Sequence, residues 1–222
     1  ALDEQGASLL GGHTLEARHA PPLPESLGVQ VSLSVNGMAP TPWSKQGMQA
    51  GDVLLLSRPL GTGVLFAAAM AGACDPHPLD AALNRMSESQ HPLLLQLLKV
   101  GDAIHACTDV TGFGLLGHLG EMLSNTELVV TLDGPAIPAY EGALDLFAKG
   151  YSSSLAPANR RALTLLDRTV HLTGTRSPVM PELLVDPQTC GPLLVSCRPS
   201  TAETLITQGP WIPIGTAAAA HD

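Results

Sequence analysis

Aromatic side chains make up only 3% of this 222-residue chain, so a packed core must be built from Leu, Val, Ile and Ala. The 45% hydrophobic fraction supplies enough of them for one large domain, or for one domain plus part of another. Charge is also scarce. At 14% charged residues, less than a free-standing domain usually exposes, some surface is expected to be covered by a further segment or a second subunit. Cations are the scarcer sign: 11 Lys and Arg stand against 20 Asp and Glu, giving a net charge of −9, and Arg160-Arg161 is the one adjacent basic pair. Nucleic-acid binding needs clustered Lys and Arg, so nucleic acid is not an expected partner. No apolar run reaches the roughly 20 residues that cross a bilayer, and no basic segment followed by an apolar core marks a leader. The expectation is a cytoplasmic protein with no membrane partner. The four cysteines (Cys74, Cys107, Cys190, Cys197) show neither CxxC nor zinc-ligand spacing. Cys107 and Cys197 lie in apolar runs and read as small core residues.

What is present alternates between strand and helix patterns. Val29–Val35 places Val29, Val31, Leu33 and Val35 at period two, which predicts a strand. The breaker-rich stretch 36–42 then predicts a boundary, dividing the chain into 1–40 and 41–222. Beyond it, strands are predicted at 52–57, 103–108, 127–132, 182–185, 193–197 and 211–214. Helices are predicted near 64–71, 92–100, 113–123, 139–149, 158–167 and 200–207. Ala217–Ala220 reads as a frayed tail. This order predicts an α+β (layered α/β) domain, a mixed sheet covered by helices.

The most informative run is 106–118, Ala-Cys-Thr-Asp-Val-Thr-Gly-Phe-Gly-Leu-Leu-Gly-His. It sets Asp109 at the end of an apolar strand, before a glycine-punctuated turn that opens an apolar helix. From spacing alone Asp109 reads first as a helix N-cap. The competing reading is a ligand for a cation that neutralises a phosphate near the helix start. His118 reads as a core histidine with one satisfied nitrogen. Arg58–Gly63 predicts a tight strand-to-helix turn with Thr62 capping the next helix. In Leu184–Leu194, Asp186 is expected to make an Asx-type turn before Pro187. Pro192 removes an N–H and so weakens any anion nest there. Cys190 is a thiol in a polar turn with no basic neighbour in sequence to activate it. Gly11-Gly12-His13-Thr14 is weak alone: a glycine pair serves any loop needing positive φ.

Taken in order, blocks 11–14, 58–63, 106–118 and 184–194, with Trp211–Gly215 at the end, resemble selenide, water dikinases (selenophosphate synthetases) of the aminoimidazole-ribonucleotide-synthetase-like superfamily. The 106–118 run is similar to that family's TDVTGFGLLGH, 11–14 to its GGHT or GGHS, 58–63 to its KPLGTG, and 184–194 to its DPQTSGGLL. Cys190 and Pro192 depart from the last pattern, standing where Ser and Gly are usual. The resemblance implies that Asp109 is one of several aspartates binding Mg2+ at the ATP phosphates. It also implies that Gly11, Gly12, His13 and Thr14 reach ATP held mainly by the partner of a homodimer. It casts residues 1–40 as the last stretch of an N-terminal ATP-binding domain and 41–222 as the C-terminal domain. The implied reaction converts ATP, selenide and water into selenophosphate, AMP and phosphate. The family's nucleophile loop has no counterpart before Gly11, so no catalytic residue is expected within this chain, and the chain alone is expected to be inactive. The alternatives are another ATP-dependent phosphoryl transferase of the superfamily, or a non-catalytic dimerisation fragment.

Overall fold

In the computed structural model, residues 2, 6–13, 31–39, 42–174 and 177–220 are described. Contacts divide the chain into two units, 1–42 and 43–222. In the first, residues 31–35 form no strand and are fully exposed, contrary to the expectation for Val29–Val35; Val29 and Gln30 lie outside the described residues. Period-two alternation prepares one face for burial. A strand still needs a neighbour to take its N–H and C=O groups, and residues 31–35 have none among the described residues.

The second unit is a six-stranded mixed sheet in the order β2-β5-β1-β6-β3-β4. Its strands are β1 (Val53–Leu56), β2 (Ile104–Asp109), β3 (Leu128–Asp133), β4 (Val170–Thr173), β5 (Leu193–Cys197) and β6 (Ile212–Ala219). Every pairing is antiparallel except β3 with β4. The α+β mixed sheet is therefore as expected.

Consecutive residues of β1 feed opposite faces, as the pleat requires. Leu54 and Leu56 enter the larger core, beneath α1 (Thr62–Met70), α4 (Gly114–Leu123), α5 (Ala143–Ala148) and α8 (Met180–Val185). Leu55 enters a smaller core beneath α3 (His91–Val100) and α9 (Pro199–Gln208), with Trp211. The remaining helices are α2 (Pro76–Ser87), α6 (Ala156–Asn159) and α7 (Arg161–Leu165). Among the described residues, no helix is long and apolar enough to cross a membrane.

Several local expectations are corrected. The segment read as a strand at 182–185 is helix α8; Pro181 sits in its first turn, where a missing N–H costs nothing, and Met180, Leu183, Leu184 and Val185 are buried. The helix read over 158–167 is two short pieces, α6 and α7, joined at Arg160. The alanine tail does not fray through Ala219, because β6 continues to that residue, paired with β3, and Ala217 is buried.

Just before β1, buried Asp52 collects the Gln49 amide at 2.9 Å, the Ser196 hydroxyl at 2.6 Å and Nδ1 of His105, from the start of β2, at 2.8 Å. This polar knot ties residues 49–52 to β2 and β5. It stands at the strand end away from Asp109, beside the irregularity between Ile104 and Ala106.

Candidate functional site

Asp109 closes β2, and its side chain is exposed whereas Thr108 before it is buried. It does not cap a helix. Helix α4 begins at Gly114 with Phe113 in the capping position, because residues 110–113 intervene as a separate turn. The N-cap reading is thereby corrected, and Asp109 stands exposed at a strand end.

The turn after Asp109 is held at four backbone groups, the Val110 and Thr111 amides and the Thr111 and Gly112 carbonyls. The Val110 amide donates to Pro192 O at 2.8 Å. Thr111 O accepts the Gly114 amide at 3.0 Å and the Gln188 amide at 2.9 Å. The Thr111 amide donates to His118 Nε2 at 3.0 Å. Gly112 O accepts Asn159 Nδ2 at 2.8 Å, and the same amide group donates to Val185 O at 3.0 Å. Two glycines make this closeness possible. Gly114 has φ +69, and a Cβ there would stand 2.7 Å from Val185 C; a Cβ on Gly191 would stand 2.0 Å from Val110 O. The 106–118 and 184–194 runs, far apart in sequence, thus interlock through main chain.

The 58–63 run joins them. Thr62 is not the cap of α1. Instead Gln188 Oε1 accepts the amides of Gly61 (3.0 Å) and Thr62 (3.2 Å) and the Thr62 hydroxyl (3.1 Å). Asp186 Oδ2 accepts the amides of Gly63 (3.0 Å) and Val64 (3.3 Å). A helix start leaves N–H groups without intrahelical partners, and here two side chains of the 184–194 segment satisfy them. The expected Asx turn at Asp186 is therefore absent: the Gln188 amide goes to Thr111 and the carboxylate goes to α1. Burial pushes the Asp186 carboxyl up to about 7, against the pull of the Val64, Gln188 and Gly63 donors.

Pro192 takes part through its carbonyl, which needs no N–H. Gly191 O accepts Gln90 Nε2 at 3.0 Å, and buried Arg58 donates to the carbonyls of Cys190 and Glu88. Cys190 has φ 46, in the left-handed region, and its side chain is exposed. His118 is 4% exposed, and both its ring nitrogens are engaged rather than one. Nε2 meets Thr111, and Nδ1 lies 3.1 Å from Glu121 Oε2, which also receives Lys45 Nζ at 2.9 Å.

Of the residues expected at a nucleotide, Gly11, Gly12 and His13 are exposed and outside any helix or strand; Thr14 lies outside the described residues. Among the described residues, no cluster of three or more His, Cys, Asp or Glu side chains is placed to hold a metal. What Asp109 presents is one oxygen-donor carboxylate on a rigid turn. That suits a hard cation completing its shell with phosphate oxygens and water, as Mg2+ does. Asn159 and Gln188 were not singled out in the sequence. Asn159 gave no signal there, while Gln188 lay inside a recognised block.

Comparison with known proteins sets this arrangement in context. The family described as AIR synthase related protein, C-terminal domain, matches residues 49–209. The chain is 34% identical over 208 residues to the selenide, water dikinase of Pelobacter propionicus, covering 92% of this chain and 56% of that protein. It is 34% identical over 226 residues to the selenide, water dikinase of Nitratidesulfovibrio vulgaris, covering 97% and 60%. The chain thus spans a little over half the length of these curated relatives. Among solved structures, it is similar to the hydrogenase maturation protein HypE of E. coli (TM-score 0.51, 18% identity, 80% of this chain and 46% of that one). It is also similar to thiamine monophosphate kinase from Aquifex aeolicus (TM-score 0.50, 13% identity, 79% and 50%). At those identities the likeness concerns the fold.

Proposed function

This chain belongs to the AIR synthase related protein family through its C-terminal domain, and we propose that it is the C-terminal portion of a selenophosphate synthetase. The proposed parent makes selenophosphate, AMP and phosphate from ATP, selenide and water. The observation that carries this reading is Asp109: an exposed carboxylate at the end of β2, on a turn whose backbone is clamped by residues 184–194. The named relatives support the substrate assignment, since two selenide, water dikinases align over nearly the whole chain.

Phosphoryl transfer from ATP asks a protein chiefly to position charges, because the transferred group carries its own reactivity. Asp109 would supply one carboxylate to Mg2+, which when bound neutralises phosphate oxygens. A ligand on a wandering loop would lose that stabilisation to reorganisation. Here the ligand is preorganised by hydrogen bonds at Val110, Thr111 and Gly112. In the proposed parent, Gly11, Gly12, His13 and Thr14 serve as the nucleotide contact of a homodimer, with bare backbone at the glycines and donors at His13 and Thr14. The remaining acidic ligands and the nucleophile loop belong to the N-terminal half of the parent.

The test compares this 222-residue chain with a longer protein carrying the N-terminal half of a selenide, water dikinase. With ATP, Mg2+ and selenide, the longer protein forms AMP and selenophosphate, and the 222-residue chain forms neither. Selenophosphate production by the 222-residue chain alone would overturn the placement of the catalytic apparatus. Selenide-independent turnover by the longer protein would overturn the substrate assignment.

A further inference from the structure

The mechanism above uses Asp109 and leaves His118 without a task, although His118 is buried and sits one turn inside α4. We propose that His118 is a positioning residue for the Asp109 turn, acting through the Thr111 amide and held in one tautomer by Glu121. The inference rests on the reading of Asp109 as a metal ligand and deepens it.

Three bonds carry the argument. A backbone N–H can only donate, so the Thr111 amide at 3.0 Å requires a lone pair on His118 Nε2. In the neutral ring the proton is then on Nδ1, where Glu121 Oε2 accepts it at 3.1 Å. Glu121 is in turn held by Lys45 Nζ at 2.9 Å, so the carboxylate that selects the tautomer is itself anchored. The pattern matches that by which a carboxylate orients a functional imidazole, except that here the oriented atom grips main chain. The grip falls two residues after Asp109. Without that lone pair the Thr111 amide loses its acceptor, which favours opening of the turn.

The neighbouring bonds sharpen the assignment. Thr111 O is held by Gln188 and by Gly114, and Gly112 O by Asn159, so carbonyls on this turn have other clamps. The clamp on the Thr111 amide comes from His118. The Thr111 hydroxyl lies 3.1 Å from the same Nε2 and cannot replace it as acceptor without releasing the ring. Lys45 and Glu121 are both substantially exposed, so their part is to orient; the buried member is the imidazole.

The experiment begins with the 222-residue chain labelled with 15N. The imidazole signals of His118 are expected to show the proton on Nδ1 and an accepting Nε2. A proton on Nε2 would overturn the proposal without recourse to any variant. His118→Gln can place an acceptor oxygen near the position of Nε2, whereas the shorter His118→Asn cannot. Amide exchange at Thr111 is expected to stay slow in His118→Gln. In His118→Asn it should quicken about tenfold, the scale set by losing one part-buried hydrogen bond, with Leu55 and Val195 in the sheet unchanged. Equal protection of Thr111 in both variants would refute the positioning role. In the longer protein, His118→Asn should raise the Mg2+ concentration for half-maximal turnover and His118→Gln should restore it; an unchanged requirement in His118→Asn also refutes it. Asp109→Asn leaves His118 intact, so failure of that variant to alter metal dependence would overturn the metal reading while the tautomer and exchange results judge His118 separately.

Discussion

The carboxylate of Asp186 accepts the amide of Gly63 at 3.0 Å across 123 positions of sequence, and with Val64 beside it this fastens the start of α1 to the 184–194 segment. One carboxylate oxygen takes these donors and Gln188 Nε2, while the other is buried with no partner among the described residues. Burial raises this carboxyl from its ordinary 3.8 to about 7. Below the ordinary value both folded and unfolded chains carry the proton. Between the two values the folded chain keeps it and the unfolded chain has lost it, so this group's contribution to stability falls as pH rises. The expected outcome is a loss of stability from about pH 4 to about pH 7 that levels off above, absent in Asp186→Asn. Urea unfolding midpoints across that range check it. A wild-type minus Asp186→Asn difference that stays constant, or rises, with pH contradicts it.

Two glycines of the clamp should respond differently. Gly191 has no room for a side chain, because a Cβ would stand 2.0 Å from Val110 O; Gly112 has nothing within 4 Å. Gly191→Ala should cost about 2–4 kcal/mol through forced backbone displacement, and Gly112→Ala within about 0.5 kcal/mol of wild type. Thermal or urea unfolding distinguishes them. Equal, small effects would mean that the 106–118 and 184–194 runs are not in main-chain contact.

In the first unit, residues 31–35 expose alternating Val31, Leu33 and Val35 with no strand pairing. Hydrogen exchange on the monomeric chain should be fast over 31–35 and slow in β1 and β5, whose amides are buried in paired sheet. In a dimer, slow exchange over 31–35 would identify pairing with another copy. Strong protection in a demonstrated monomer contradicts the unpaired state.

The central strands were legible because their patterns are local. Val53–Leu56 is apolar on both faces since the sheet is covered on both, and Leu193–Cys197 reads the same way. Helix α2 is harder to read: Leu79, Ala82, Leu83 and Met86 recur at helical spacing, but the breaker-like Pro76-His77-Pro78 opening masks its start signal. Strand β4 has four residues and an edge position, too short to show a period. The 182–185 segment was misread because four apolar or acidic residues do not distinguish strand from helix without length.

The site divided in the same way. Spacing alone offered Asp109 as a helix cap first and a cation ligand second, and the resemblance of its run to a known family reversed that order. Thr62 was expected to cap its own helix, since Thr does so locally. The caps come from Asp186 and Gln188, across 123 and 126 positions, a relationship that no local pattern contains. His118 looked like a core residue and is one. That its second nitrogen reaches Glu121 three residues on was readable from helical spacing, while its bond to the Thr111 amide needed the fold of the turn.

The most direct test of the account is Asp109→Asn in the longer protein, with turnover of ATP measured against Mg2+ concentration. The exposed position of Asp109 predicts an unfolding free energy within about 0.5 kcal/mol of wild type. Loss of one carboxylate from a metal–phosphate cluster predicts turnover reduced at least about 100-fold, with the residual activity needing more Mg2+. Wild-type turnover with an unchanged Mg2+ requirement would contradict the assignment of Asp109 and, with it, the proposed site.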